Sequence, residues 1–156
     1  MDPQLILAWR NFHLADRAVR DRLNARLASA AGCSLVEHDT LAWLAAAPEK
    51  RLRMLDLATR LQITQGGLTR IVDRLIRRDW VARDRPAENR REVYVTLTPS
   101  GAAAHHKARA VYGRVLEETL ARHLDEPDLL ALGAISGKLL DRIRSVEEDG
   151  PAGTSC

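Results

Sequence analysis

The middle of the chain carries side chains able to read a polyanion: Thr64, Gln65, Thr69, Arg70, Arg74 and Arg77, followed by Arg90 and Arg91. Glutamine can take an adenine edge through two hydrogen bonds and arginine a guanine edge, and the arginine fork also pairs with phosphate. This chemistry suits duplex DNA. Thr64, Gln65, Thr69 and Arg70 are expected at base edges, and Arg74 and Arg77, further along, at phosphates. Arg90 and Arg91 end the polar run Asp84 to Arg91 and suit a minor groove, whose negative potential attracts guanidinium groups. Asp73 would repel phosphate and is expected to hold an arginine of the hairpin instead. Between positions 70 and 92, eight arginines stand against five acids. The resulting +3 equals the formal net charge of all 156 residues. Most charge runs are simply solvated surface. Here the position between a helix and a strand argues for contact with DNA.

The surrounding elements follow from spacing. Leu57, Ala58 and Leu61 have helical steps, and Thr64 is placed to cap the helix that follows. From there Leu68, Ile71, Val72, Leu75 and Ile76 keep one apolar face inward, leaving Gln65, Thr69, Arg70 and Asp73 outward. Val93, Val95 and Leu97 alternate with Tyr94 and Thr96, the period of a half-buried strand. Trp80, Val81 and Arg83 read as its antiparallel partner, and Lys50 to Met54 as a third short strand. Gly66 and Gly67 weaken the first turn of the second helix by roughly 0.5–1 kcal/mol each. They fit either a soft N-terminus or close backbone approach to a phosphate.

The flanks are helical. Leu5, Trp9, Phe12, Val19, Leu23 and Leu27 mark a long first helix ended by Gly32. Ser34 and Glu37 form a capping box for the next, which Pro48 closes. Pro99 opens a later helix with Ala104, Ala108, Val111, Val115 and Leu120 on one face. Asp125 to Pro127 break it and cap a last helix bearing Leu129, Leu132, Ile135, Leu139, Ile143 and Val146. One small winged unit cannot cover all these stripes, so two chains are expected to interlock through them. A two-fold dimer sets two recognition helices about one DNA turn apart, matching an inverted repeat. The fold class expected is mainly α with a small β-wing. Residues 1–33 form an N-terminal dimerisation helix, 34–98 a winged helix-turn-helix, 99–149 C-terminal dimerisation helices and 150–156 a disordered tail.

The segment from Leu68 to Gly101 resembles the MarR family of winged-helix repressors. The resemblance rests on Leu68 to Leu75, Trp80-Val81, Asn89-Arg90-Arg91, and Val95 to Gly101 (VTLTPSG). It implies a homodimeric DNA-binding regulator, most often a repressor released by a small ligand, with Arg91 as the wing arginine. Asn89 departs from the family's usual aspartate, so the wing is expected to be looser or held by Asp84, Glu88 or Glu92. The resemblance also implies a crevice for a small aromatic or phenolic anion, with Trp9, Arg10, His13, Arg17 and Asp56 as its candidate lining. Trp9 equally fits an interhelical core position. The run from Trp9 to Leu61, with Trp9, Arg53-Met54 and Asp56, bears a slight resemblance to the urate-responsive branch, whose pocket Asp73 and Arg90 would join. Other branches sense peroxide through cysteine or bind zinc. Cys33 reads as a small buried residue. Glu37, His38, His105 and His106 are ligand types, but adjacent histidines on a helix diverge by about 100°.

Length and composition fit one domain of ordinary size. Two cysteines give no disulfide framework, and no long apolar run or signal-peptide layout interrupts the charged pattern, so a cytoplasmic protein without membrane contact is expected. No nucleophile elbow, phosphate-cradling loop or paired carboxylates point to an enzyme, and no cofactor or metal is expected. The alternative is a helical interaction protein without specific DNA binding. It accounts for the long amphipathic helices but not for the arginine-tipped hairpin.

Overall fold

Caps and turns set the elements. In the computed structural model, which describes residues 2–86, 89 and 92–148, Asp2 accepts a hydrogen bond from the Gln4 amide at 2.8 Å and opens α1 (Pro3–Ala31). Gly32, at φ 70°, ends it in the left-handed region. Ser34 and Glu37 form the expected reciprocal box at the start of α2 (Leu35–Ala46). Then follow β1 (Arg51–Arg53), α3 (Met54–Leu61), α4 (Gln65–Arg77), β2 (Val81–Asp84), β3 (Tyr94–Leu97) and α5 (Pro99–Leu116). A π-helical stretch, Glu117–Ala121, precedes α6 (Glu126–Glu148). The fold is therefore mainly α with a small β-wing, as the sequence pattern predicts. The tail 150–156 lies outside the described residues.

The sheet is antiparallel in the order β1-β3-β2. Val95 is paired with Leu52 on one side and Arg83 on the other, and its side chain faces the core with Leu97. That core joins α2, α3, α4 and the sheet through Leu41, Leu44, Leu57, Leu68, Val72 and Leu75. Burial of such side chains stabilises the unit by roughly 1.5–3 kcal/mol each. Beyond β3, the hydroxyl of Thr98 donates to the Asp79 carbonyl at 2.6 Å and accepts from the Gly101 amide at 2.9 Å. The Thr98 amide donates to the Trp80 carbonyl at 3.1 Å. A Cβ at Gly101 would lie 1.9 Å from that Trp80 oxygen. The Leu-Thr-Pro-Ser-Gly run is thus a strand end, a cap and a close helix-to-strand contact in succession.

The chain divides into two compact units, Met1–Val115 and Leu116–Cys156. In the first, Leu23 and Leu27 of α1 are buried, whereas Leu5, Trp9 and Phe12 are exposed. In the second, Asp125 accepts from the Asp128 amide at 2.9 Å and caps α6, whose Leu129, Leu132, Ile135, Leu139 and Ile143 are all exposed. Within one chain the N-terminal half of the α1 stripe and these α6 residues remain uncovered, whereas Leu23 and Leu27 of α1 and Ala108 and Val115 of α5 are buried.

Candidate nucleic-acid interface

The helix-turn-helix is built by α3 and α4. Gln62, at φ 54°, takes the left-handed conformation that turns the chain, and its amide donates to the Thr59 carbonyl at 3.1 Å. Thr64 caps α4, its hydroxyl accepting from the Gly67 amide at 3.1 Å. A Cβ at Gly67 would lie 3.2 Å from that hydroxyl oxygen, so the glycine leaves room for the cap, while Gly66 borders open space. Leu68, Ile71, Val72 and Leu75 clamp the helix to the core. Gln65, Thr69, Arg70 and Arg77 are exposed on its other side. The Thr69 hydroxyl donates back to the Gln65 carbonyl at 2.9 Å. Ile76 departs from the expected inward face and is exposed, because it stands on the same side of the helix as Gln65 and Thr69.

The hairpin is tied down by ion pairs. Arg83 of β2 donates to Asp73 of α4 at 2.8 Å, the kind of partner expected for that acid. Arg51 of β1 donates to Asp84 of β2 at 2.7 Å and lies 4.0 Å over the Tyr94 ring. Arg53 donates to the Tyr94 hydroxyl at 3.0 Å and pairs with Glu92 at 3.2 Å, while that hydroxyl donates to Glu92 at 2.8 Å. These contacts hold the Arg53 guanidinium charged over an even wider range than usual, the Tyr94 hydrogen bond first and the Glu92 carboxylate second. Two of the acids proposed to replace the missing wing aspartate, Asp84 and Glu92, are thus engaged at the base of the hairpin. Arg90, Arg91 and the third acid, Glu88, lie outside the described residues.

Arg74 is engaged inside the chain rather than left open as the phosphate role supposes. Its Nε donates to Oε1 of Glu37 at 3.0 Å. Glu37 is only 4% exposed, and its other oxygen accepts from the Ser34 amide at 2.9 Å. Arg78, one turn on, reaches the same carboxylate at 3.8 Å and donates to the Gly32 carbonyl at 2.7 Å. Burial alone would raise the Glu37 pKa, but hydrogen bonds from the Ser34 backbone and Arg74, with the Arg78 charge, hold it below the usual carboxylate range. The capping box made Glu37 legible as a helix start. Its contact with α4 had no local signal.

Of the five candidate effector residues, Trp9, Arg10, His13 and Arg17 stand on α1 and Asp56 on α3. Trp9, 61% exposed, stacks on His13 at 5.9 Å, and Arg10 is also exposed. Arg17 faces Asp21 at 3.8 Å, and Asp56 stands in the first turn of α3. Trp9 is therefore not a core residue within its own chain. Two clefts of the first unit are lined by other side chains. A cavity of about 510 Å³ includes Arg20, Asp39, Trp43 and Arg60, with the Arg60 guanidinium 5.0 Å over the Trp43 ring. Another of about 410 Å³ includes His38, His105 and Arg109. Burial, then the neighbouring His38, lowers the His105 pKa. Cys33 is buried, as expected, and burial with the Glu37 charge pushes its thiol up to about 11. Among the described residues no three His, Cys, Asp or Glu side chains form a metal-binding group, and no helix is long and apolar enough to cross a membrane.

A tight helical pair with an outward polar face, followed by an antiparallel wing, defines a winged helix-turn-helix. The MarR family model matches residues 31–92, which run from α2 through β2 and stop before β3. The multiple antibiotic resistance protein MarR of Salmonella typhimurium is 31% identical over 86 residues, covering 55% of this chain and 60% of that protein. The chain thus spans 60% of the length of the curated relatives it matches. Across the fold it is similar to a MarR family transcriptional regulator from Streptomyces coelicolor solved in complex with DNA. That likeness has a TM-score of 0.85 and 26% identity, covering 92% of this chain and 93% of the other. A mutant MarR from E. coli complexed with operator DNA gives a TM-score of 0.77 and 25% identity, covering 90% and 99%. Over these residues the chain is similar to MarR family regulators.

Proposed function

We propose that this protein is a homodimeric, sequence-specific DNA-binding transcriptional regulator, acting as a repressor that a small ligand releases. The observation that carries the reading is α4 itself. It is capped, clamped to the core on one face, and presents Gln65, Thr69, Arg70 and Arg77 on the other. Polar side chains on a helix held in this way can meet base edges in a major groove. The likeness to regulators solved with DNA supports the same reading. Gln65, Thr69 and Arg70 read bases, with Thr64 at the helix entrance, and Arg77 meets phosphate. Arg90 and Arg91 enter as wing contacts on the strength of the sequence. Such a protein works in the cytoplasm, beside the DNA it reads.

Residues 1–33 and 99–149 serve dimerisation, since their exposed apolar side chains suit a second copy of the chain. For the input, the family resemblance favours a small aromatic anion. In addition to the candidates Trp9, Arg10, His13, Arg17 and Asp56, the cleft at Trp43, Arg20 and Arg60 supports such a ligand, because an aromatic plate and guanidinium groups are together there within one chain. Ligand release requires the ligand to prefer a spacing of the two recognition helices that DNA does not.

Selection from a randomised duplex library tests the reading. The expected product is an inverted repeat with half-site centres about 10 base pairs apart. A library that fails to enrich any sequence would favour the helical interaction protein.

A further inference from the structure

The Glu37 carboxylate is the place where the start of α2 meets the recognition helix. A capping-box glutamate ordinarily serves its own helix from the surface, with one oxygen on the N-cap amide. Here the carboxylate is buried, one oxygen serves Ser34, and the other accepts from Arg74, 37 residues along the chain. Arg74 and Arg78 are four apart and share one flank of α4. Arg78 binds the Gly32 carbonyl at the end of α1 and lies 4.9 Å over the Trp80 ring. Both arginines thus tie one side of the recognition helix to the corner between α1 and α2. A buried carboxylate held by fixed donors tolerates little change in geometry, since losing one partner leaves charge without compensation.

We infer that Glu37 is a positioning residue for DNA recognition, fixing the roll of α4 through Arg74, and that Arg74 acts as this brace and not as a phosphate contact. The inference rests on the DNA-binding reading. The roll of a recognition helix decides which side chains meet base edges, so the brace should matter for discrimination more than for general attraction to DNA. A phosphate contact has the opposite profile, lowering affinity for every duplex and reducing its dependence on salt.

The test compares wild type, Glu37→Gln, Arg74→Ala, the double variant and Arg77→Ala on a selected and a random duplex over a range of salt concentrations. Arg77→Ala should reduce the salt slope by about 0.9, the share of one phosphate. Arg74→Ala should keep the wild-type slope and lose roughly tenfold on the selected duplex, with little change on random DNA. Glu37→Gln should do the same, and the double variant should lose no more than the worse single one. A slope reduced by about one phosphate in Arg74→Ala, with Glu37→Gln unchanged on both duplexes, would overturn the inference. Thermal unfolding of the same variants reads the Glu37–Arg74 coupling without DNA, and strictly additive losses would overturn the brace. A wild type that binds no duplex would instead defeat the DNA-binding reading and leave that coupling measurable.

Discussion

The carboxylate of Asp73, on the recognition helix, accepts a hydrogen bond from Arg83 of β2 at 2.8 Å. An acid on a surface proposed to meet phosphate is unfavourable unless its charge is used elsewhere, and here it joins helix to wing. As a partly exposed pair it contributes only about 0.2–1 kcal/mol to stability. Its larger effect is on wing placement. Asp73→Ala is expected to weaken binding to selected and random duplexes alike, with a small loss of thermal stability. Tighter binding to both duplexes would mean that the acid only repels DNA.

Arg70 and Arg91 are expected to fail differently. Arg70→Ala should relax discrimination at one base position, worth about 1–3 kcal/mol there, while other positions keep their preference. Arg91→Ala should weaken all duplexes and lower the salt slope by about one unit. Binding measured on single-base variants of the selected duplex separates them. Equal losses on every duplex for both variants would contradict this division of roles.

Gly101 has no room for a side chain. A Cβ there would fall 1.9 Å from the Trp80 carbonyl oxygen, a backbone atom that also accepts from the Thr98 amide. Gly101→Ala must therefore separate the start of α5 from the beginning of the wing. A loss of about 3 kcal/mol or more is expected by denaturant unfolding, at the upper end for overpacking. Gly66→Ala, where a Cβ meets open space, should instead stabilise α4 by about 0.5–1 kcal/mol.

Much of this architecture was legible locally. Thr64 as a cap, the Ser34–Glu37 box, Gly32 as a helix end and the alternation of Val93, Val95 and Leu97 each depend on neighbours in sequence. Even the role of Asp73 could be anticipated, because an acid among exposed arginines needs a partner. The links across the fold were not legible. Glu37 and Arg74 meet only because α2 and α4 cross, and Arg53, Glu92 and Tyr94 meet only because β1 pairs with β3. Ile76 fitted an apolar repeat by type yet stands on the outer side of the helix. Arg20, Trp43 and Arg60 line one cleft but come from three helices and carry no joint spacing.

Alkaline conditions should expose the buried thiol. Cys33 ionises near 11 in the fold, above its ordinary value of 9.0. The folded state therefore favours the neutral thiol. Its contribution is complete below pH 9 and is lost as pH rises from there through about 11. Cys33→Ala should flatten this part of the stability profile. At neutral pH the native thiol should also react slowly with a thiol reagent, and rapid labelling of the folded protein would contradict its burial.

The apolar stripe of α6 supplies the test of assembly. Ile135 and Leu139 are exposed within the chain, and a second copy is their proposed cover. Ile135→Lys with Leu139→Lys should shift sedimentation from twice the mass of one chain to a single chain, and should weaken binding to an inverted repeat more than to one half-site. A wild-type protein that sediments as a monomer at micromolar concentration would contradict the dimer.

The most direct measurement is an anisotropy titration of the wild-type protein with the duplex flanking its own gene and with random duplex, repeated at several salt concentrations. The account predicts at least a thousandfold preference for one duplex, roughly the lower end for specific readers, and affinity falling linearly with the logarithm of salt. Equal affinity for that duplex, for library-selected DNA and for random DNA, or binding unaffected by salt, would contradict it.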